Sequence, residues 1–99
     1  MLNWTKTNHR HAFASKYERF LQLSRRKNWM WEDQRVRKAI IWLRETYGDD
    51  KTRMECIDEH GRVYMHHWIP NEHWWIDQHR RRVYIRSEQT ITLMALMGV

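Results

Sequence analysis

Apolar residues recur at two different periods along this chain, and the change of period divides it. Phe13, Tyr17, Phe20 and Leu21 stand at i, i+4, i+7 and i+8, the spacing of one helical face, which predicts a helix over roughly residues 11–24. Val36, Ile40, Leu43 and Tyr47 repeat the pattern and predict a second helix over about residues 30–47. Asn28 is its expected N-cap, and Gly48 stands just past the last periodic residue. Trp42 and Ile41 fall off that stripe, beside Arg35 and Arg37, so this helix either packs on two sides or offers a contact. Residues 1–10 lack either period and read as a flexible arm anchored only by Trp4.

Beyond Gly48 the pattern becomes alternation, which places successive side chains on opposite faces of a strand. Arg53 to Ile57 reads as a strand with Met54 and Cys56 inward. Gly61 supplies the positive φ that turns the chain into Arg62 to Trp68. Pro70 and Asn71 close the next turn, leading into His73 to Gln78, where Trp74 and Ile76 alternate with Trp75 and Asp77. In Arg82 to Arg86, Val83 and Ile85 oppose Arg82, Tyr84 and Arg86. In the remaining stretch, Ser87 as a cap and Gly98 as a stop suggest a short helix, while Thr90 and Thr92 alternating with Ile91 and Leu93 suggest a fifth strand. The expected fold is α+β: two N-terminal helices (residues 11–47) packed on a four-stranded antiparallel meander (residues 52–86), closed by that short C-terminal helix or fifth strand. Leu93, Met94, Leu96 and Met97 make residues 87–99 a docking tail, for the sheet or for a second copy in a homodimer.

Composition adds constraints on partners and chemistry. Ninety-nine residues suit one domain. A single cysteine, Cys56, cannot close an intrachain disulfide, so a cytoplasmic protein is the default expectation. Apolar runs such as Ala39–Leu43 are too short to span a bilayer, and the first residues lack a signal-peptide core. The net charge of +6 lies mostly in residues 1–50, with 11 Lys and Arg against 6 Asp and Glu, which favours polyanionic partners. Seven tryptophans exceed what a small core readily absorbs, so some are expected on a contact surface. Seven histidines add positive charge on acidification, around their ordinary pKa of ~6.5.

Five of those histidines lie between His60 and His79, which raises the question of a metal. His66 and His67 are adjacent and point to opposite strand faces, and the paired short spacings of a structural zinc site are missing, so neither metal nor cofactor is expected. A His-Asn-His nuclease needs a longer interval than His67 to Asn71 and a helix carrying its last histidine. The three glycines are isolated, so no phosphate-cradling loop is formed, and a non-enzymatic binding protein is expected.

The candidate surface is the outer face of the meander, with Tyr64, His66, Trp68, Trp75, Tyr84, Arg82 and Arg86. Flat rings stack on bases while arginines neutralise phosphates, the combination used by sheets that bind single-stranded nucleic acid. Arg25, Arg26, Lys27, Arg35, Arg80 and Arg81 are further candidate phosphate contacts. If a helix covers that face, the rings are core instead. The alternative is a compact regulator or inhibitor in the style of viral and mobile-element proteins. It would bind a host protein having an acidic or nucleic-acid-binding surface, with Trp42, Trp68, Trp74 and Trp75 as hot spots.

Overall fold

In the computed structural model, which describes residues 2–7, 16–23 and 33–99, the alternating residues 74–85 form the heart of a sheet. β1 (Trp4–Lys6), β2 (Arg19–Gln22), β6 (Arg82–Ile85) and β5 (Trp74–Asp77) lie in that spatial order, every pair antiparallel. Trp74 sits opposite Ile85 and Ile76 opposite Val83, and all four are buried on one face. α1 (Gln34–Tyr47) lays Val36, Ala39, Ile40 and Leu43 on that face. α2 (Glu88–Leu96) adds Met94, and Leu21 and Leu23 complete the cluster. Each wholly buried aliphatic side chain stabilises by about 1.5–3 kcal/mol relative to exposure.

The local signals at the helix ends have clear causes. The Asp33 carboxylate caps α1 by accepting the Arg35 N–H at 2.9 Å. Gly48, with φ of 87°, ends the helix by donating its N–H to the Arg44 carbonyl. Ser87 caps α2 by accepting the Gln89 N–H at 3.2 Å. The Asn28 cap lies outside the described residues, and so do Phe13 and the rest of residues 8–15 and 24–32.

The expected pair of N-terminal helices on a four-strand meander is not what forms. Two strands precede α1, and Trp4 belongs to the first of them. Phe20 and Leu21 suit either period. As a strand they part to opposite faces, Leu21 into the helix-covered core and Phe20 against Tyr84, while β2 supplies backbone partners to β6. The meander is also broken, because β3 (Lys51–Ile57) and β4 (Val63–Pro70) pair only with each other. Met54 and Cys56 are therefore not inward: Met54 is exposed and Cys56 half-exposed on a projecting hairpin. The hairpin contributes to a long molecule of 52 × 28 × 26 Å.

Asn71 ties the base of this hairpin to the body. Its N–H donates to the Asp50 carbonyl (2.7 Å), and its side-chain amide donates to the carbonyls of Tyr47 (2.9 Å) and Asp49 (3.0 Å). Its side-chain oxygen accepts the His73 N–H (2.8 Å), and its carbonyl accepts the Tyr17 hydroxyl (2.9 Å). Beside it, the Trp74 indole N–H donates to the Gly48 carbonyl at 2.9 Å.

Asn71→Ala should destabilise by about 2 kcal/mol, several hydrogen bonds of 0.5–1.5 kcal/mol being lost or orphaned. Asn71→Asp should cost more, because a carboxylate oxygen then faces the Tyr47 and Asp49 carbonyls; urea midpoints order the two variants. Burial pushes the Tyr17 phenol up from 10.0 to about 12. Its folded pKa exceeds its unfolded one, so its stabilising contribution is complete below pH 10 and is lost as pH rises from there toward about 12. Tyr17→Phe should flatten that alkaline decline in urea midpoints, at the expense of the hydrogen bond to Asn71.

Candidate functional site

The β5–β6 turn carries the densest positive charge among the described residues. Asp77 caps it from within by accepting the Arg80 N–H at 3.1 Å, and its carboxylate lies 3.7 Å from the Arg80 guanidinium. Gln22 on the neighbouring strand braces it. Its amide donates to the carbonyls of Arg80 (3.0 Å) and Arg81 (3.2 Å), while its oxygen accepts from the Arg82 guanidinium at 2.9 Å. The Leu23 N–H adds a bond to the Arg81 carbonyl at 2.8 Å. Arg82 also lies over the Phe20 ring, 4.2 Å from its centroid, so its orientation is set by stacking as well as by Gln22.

Arg81 occupies the left-handed region, with φ of 55°, the only non-glycine residue to do so among the described residues. A left-handed conformation costs a residue with a Cβ roughly 1–2 kcal/mol, so glycine is the residue the backbone alone favours here. Gln22, Leu23, His79, Arg80, Arg81 and Arg82 line an open cleft of about 790 Å³. Among the described residues no carboxylate lines it, because Asp77 is turned into the loop. Such a rim can hold anionic oxygens through fixed guanidinium groups.

The other candidate residues do not gather there. β4 does not pair with β5, so the aromatic face expected across the sheet is divided into two separate sets. Tyr84 is only 1% exposed, covered by Tyr17, Phe20 and Trp75 with ring centroids 5.7, 5.9 and 5.7 Å away, and Trp75 is half-buried in that stack. Tyr84 is core and has no face left for stacking, whereas Trp75 keeps part of its ring at the surface. Tyr64 and Trp68, by contrast, are 65% and 59% exposed on the hairpin. Lys51 lies 5.3 Å from the Trp68 ring centroid, and the Arg53 guanidinium lies 2.9 Å from the His66 ring nitrogens.

Arg35 is turned to Asp33, and its guanidinium hydrogen bond holds that carboxyl below the usual carboxylate range. Arg86 pairs with Glu72 at 2.9 Å. Trp42 packs half-buried, edge-on to Tyr47 at 6.0 Å. Arg25, Arg26 and Lys27 lie outside the described residues; in the sequence they follow Leu23 by two to four positions. Gln22 was missed by the sequence reading. Its place on a strand paired with the arginine turn depends on a contact that no local pattern reveals.

Among the described residues, no group of three or more His, Cys, Asp or Glu is placed to hold a metal ion. None of their helices is long and apolar enough to cross a membrane. No protein-family model matches this chain, and no curated protein or solved structure compared with it does.

Arg81→Gly should relieve the left-handed strain and raise stability by up to about 1 kcal/mol, the gain being offset in part by the larger unfolded-state entropy of glycine. Arg81→Ala keeps the strain and should bring no gain; thermal midpoints of the two variants and the parent give the comparison.

Proposed function

We propose that this protein binds the phosphate backbone of nucleic acids through the β5–β6 turn. The observation that carries the reading is a braced turn that places three consecutive arginines along a cleft whose described lining holds no carboxylate. Arg81 is held there in a conformation that a residue other than glycine adopts at a cost. Strained backbone persists where the surrounding structure over-determines it, often at binding sites. The Arg82 guanidinium, oriented by Gln22 and Phe20, meets phosphate oxygens with less ordering to be done on binding. The net charge of +6 adds long-range attraction. Contacts of this kind position a protein on a strand without reading bases, so the expected recognition is independent of sequence.

A second reading, a regulator that docks on another protein, is favoured by a different observation. Tyr64 and Trp68 are open to solvent on a hairpin whose strands carry little net charge. Aromatic side chains of this kind serve as interface anchors.

For the first reading, mixed-sequence DNA or RNA should bind at low salt. The logarithm of affinity should fall linearly with the logarithm of salt concentration, and reversing or removing the three arginines should reduce the slope by about 2–3. Arg81→Gly, although more stable, should bind several-fold more weakly in fluorescence anisotropy. Unchanged affinity in a triple Arg80→Ala, Arg81→Ala, Arg82→Ala variant eliminates the turn as the contact.

A further inference from the structure

We propose that the β3–β4 hairpin is a dimerisation arm whose occupant is the same hairpin of a second copy, laid antiparallel so that each tip reaches the other's base. The pairing register puts Thr52, Met54, Cys56, Met65, His67 and Ile69 on one face, none of them a Lys, Arg, Asp or Glu. Met54, Met65 and Ile69 are 44–47% exposed, and beyond them the register shift at the tip leaves Ile57 and Val63 exposed opposite each other. The charged residues of the strands, Lys51, Arg53 and Glu55, stand on the opposite face, with Trp68 and His66. Two copies of a basic chain can therefore bring the uncharged faces together without opposing like charges. Isolated two-stranded ribbons are marginal in water, and a twofold axis lets one such face cover another.

The ends of the hairpin supply the complementarity that selects a second copy. At the tip, Asp58 accepts the N–H groups of His60 and Arg62, and the exposed Glu59 carboxylate lies 3.7 Å from the His60 ring, so two carboxylates stand there against one permanent cation, Arg62, and one imidazole. At the base a cleft of about 630 Å³ opens among Lys16, Tyr17, Ile69, Pro70, Glu72 and Arg86; Arg86 is paired with Glu72 there, and Lys16 leaves the described lining with one net positive charge. Ile69 belongs to both the apolar face and this cleft, so the two surfaces are continuous. Strands of 7 and 8 residues make an arm roughly 25 Å long, which in an antiparallel pair brings each acidic tip to the partner's basic cleft. The shared face is roughly 25 Å by 10 Å. That is short of the ~1,000 Å² expected of a stable interface, so the pair is a weak, concentration-dependent dimer. This interface is independent of the arginine turn.

Sedimentation equilibrium of the full chain should give a dimer. Glu59→Lys and Lys16→Glu should each weaken it by about tenfold, since a repulsive contact is created twice by symmetry, and the double variant should recover most of the loss. Met65→Lys on the apolar face should abolish the dimer, and Trp68→Thr on the opposite face should leave it unchanged. A parent chain that is still monomeric at about 100 μM overturns the proposal. A dimer indifferent to Glu59→Lys and Lys16→Glu also overturns it, and points instead to the apolar tail residues Leu93, Leu96 and Met97.

Discussion

One asparagine decides how the two sheets of this protein are joined. Asn71 uses its backbone N–H and carbonyl, both amide hydrogens and its side-chain oxygen to connect residues 17, 47, 49, 50 and 73. The carbonyls of Tyr47 and Asp49 lie where α1 has ended and no further helical donor exists, so they need partners from elsewhere. Asn71 supplies two of them at once. It thereby fixes where the hairpin leaves the body and where β5 starts. Trp74, three residues on, is fully buried because its indole N–H finds the Gly48 carbonyl at the same junction.

From that junction the molecule extends two ways. Along β5 the chain runs into the body and reaches the arginine turn, where Gln22, Asp77 and Phe20 hold the guanidinium groups and backbone. Along β4 it runs outward into a hairpin that shows rings and cations on one face and uncharged, largely apolar residues on the other. A side chain's availability for binding follows from which of these directions its strand takes. Trp68 and Tyr84 have similar surroundings in the sequence, a Tyr or Trp on an alternating strand, yet one is exposed and the other is sealed by three rings.

Much of the local structure was legible beforehand. The in–out assignment of Trp74, Ile76, Val83 and Ile85 follows from alternation. The stop at Gly48, the positive φ at Gly61 and the Ser87 cap follow from residue chemistry. Arg80, Arg81 and Arg82 stood out as a charged run, but the left-handed Arg81 did not, because nothing in the residues distinguishes that turn from one closed by glycine. Phe20 and Leu21 misled because a helix and a strand can both accommodate them. The outcome rested on two apolar surfaces being available, one on each face of β6.

The sequence by itself determined which faces of its elements are apolar and where those elements stop, because period and capping act over a few residues. Only the tertiary structure decided that residues 19–22 pair with residues 82–85, that β4 turns away from β5, and that Tyr84 is enclosed while Tyr64 is open. Strand pairing is selected by the total surface and hydrogen bonding satisfied between residues far apart in the chain, and alternation is the same whichever neighbour a strand takes.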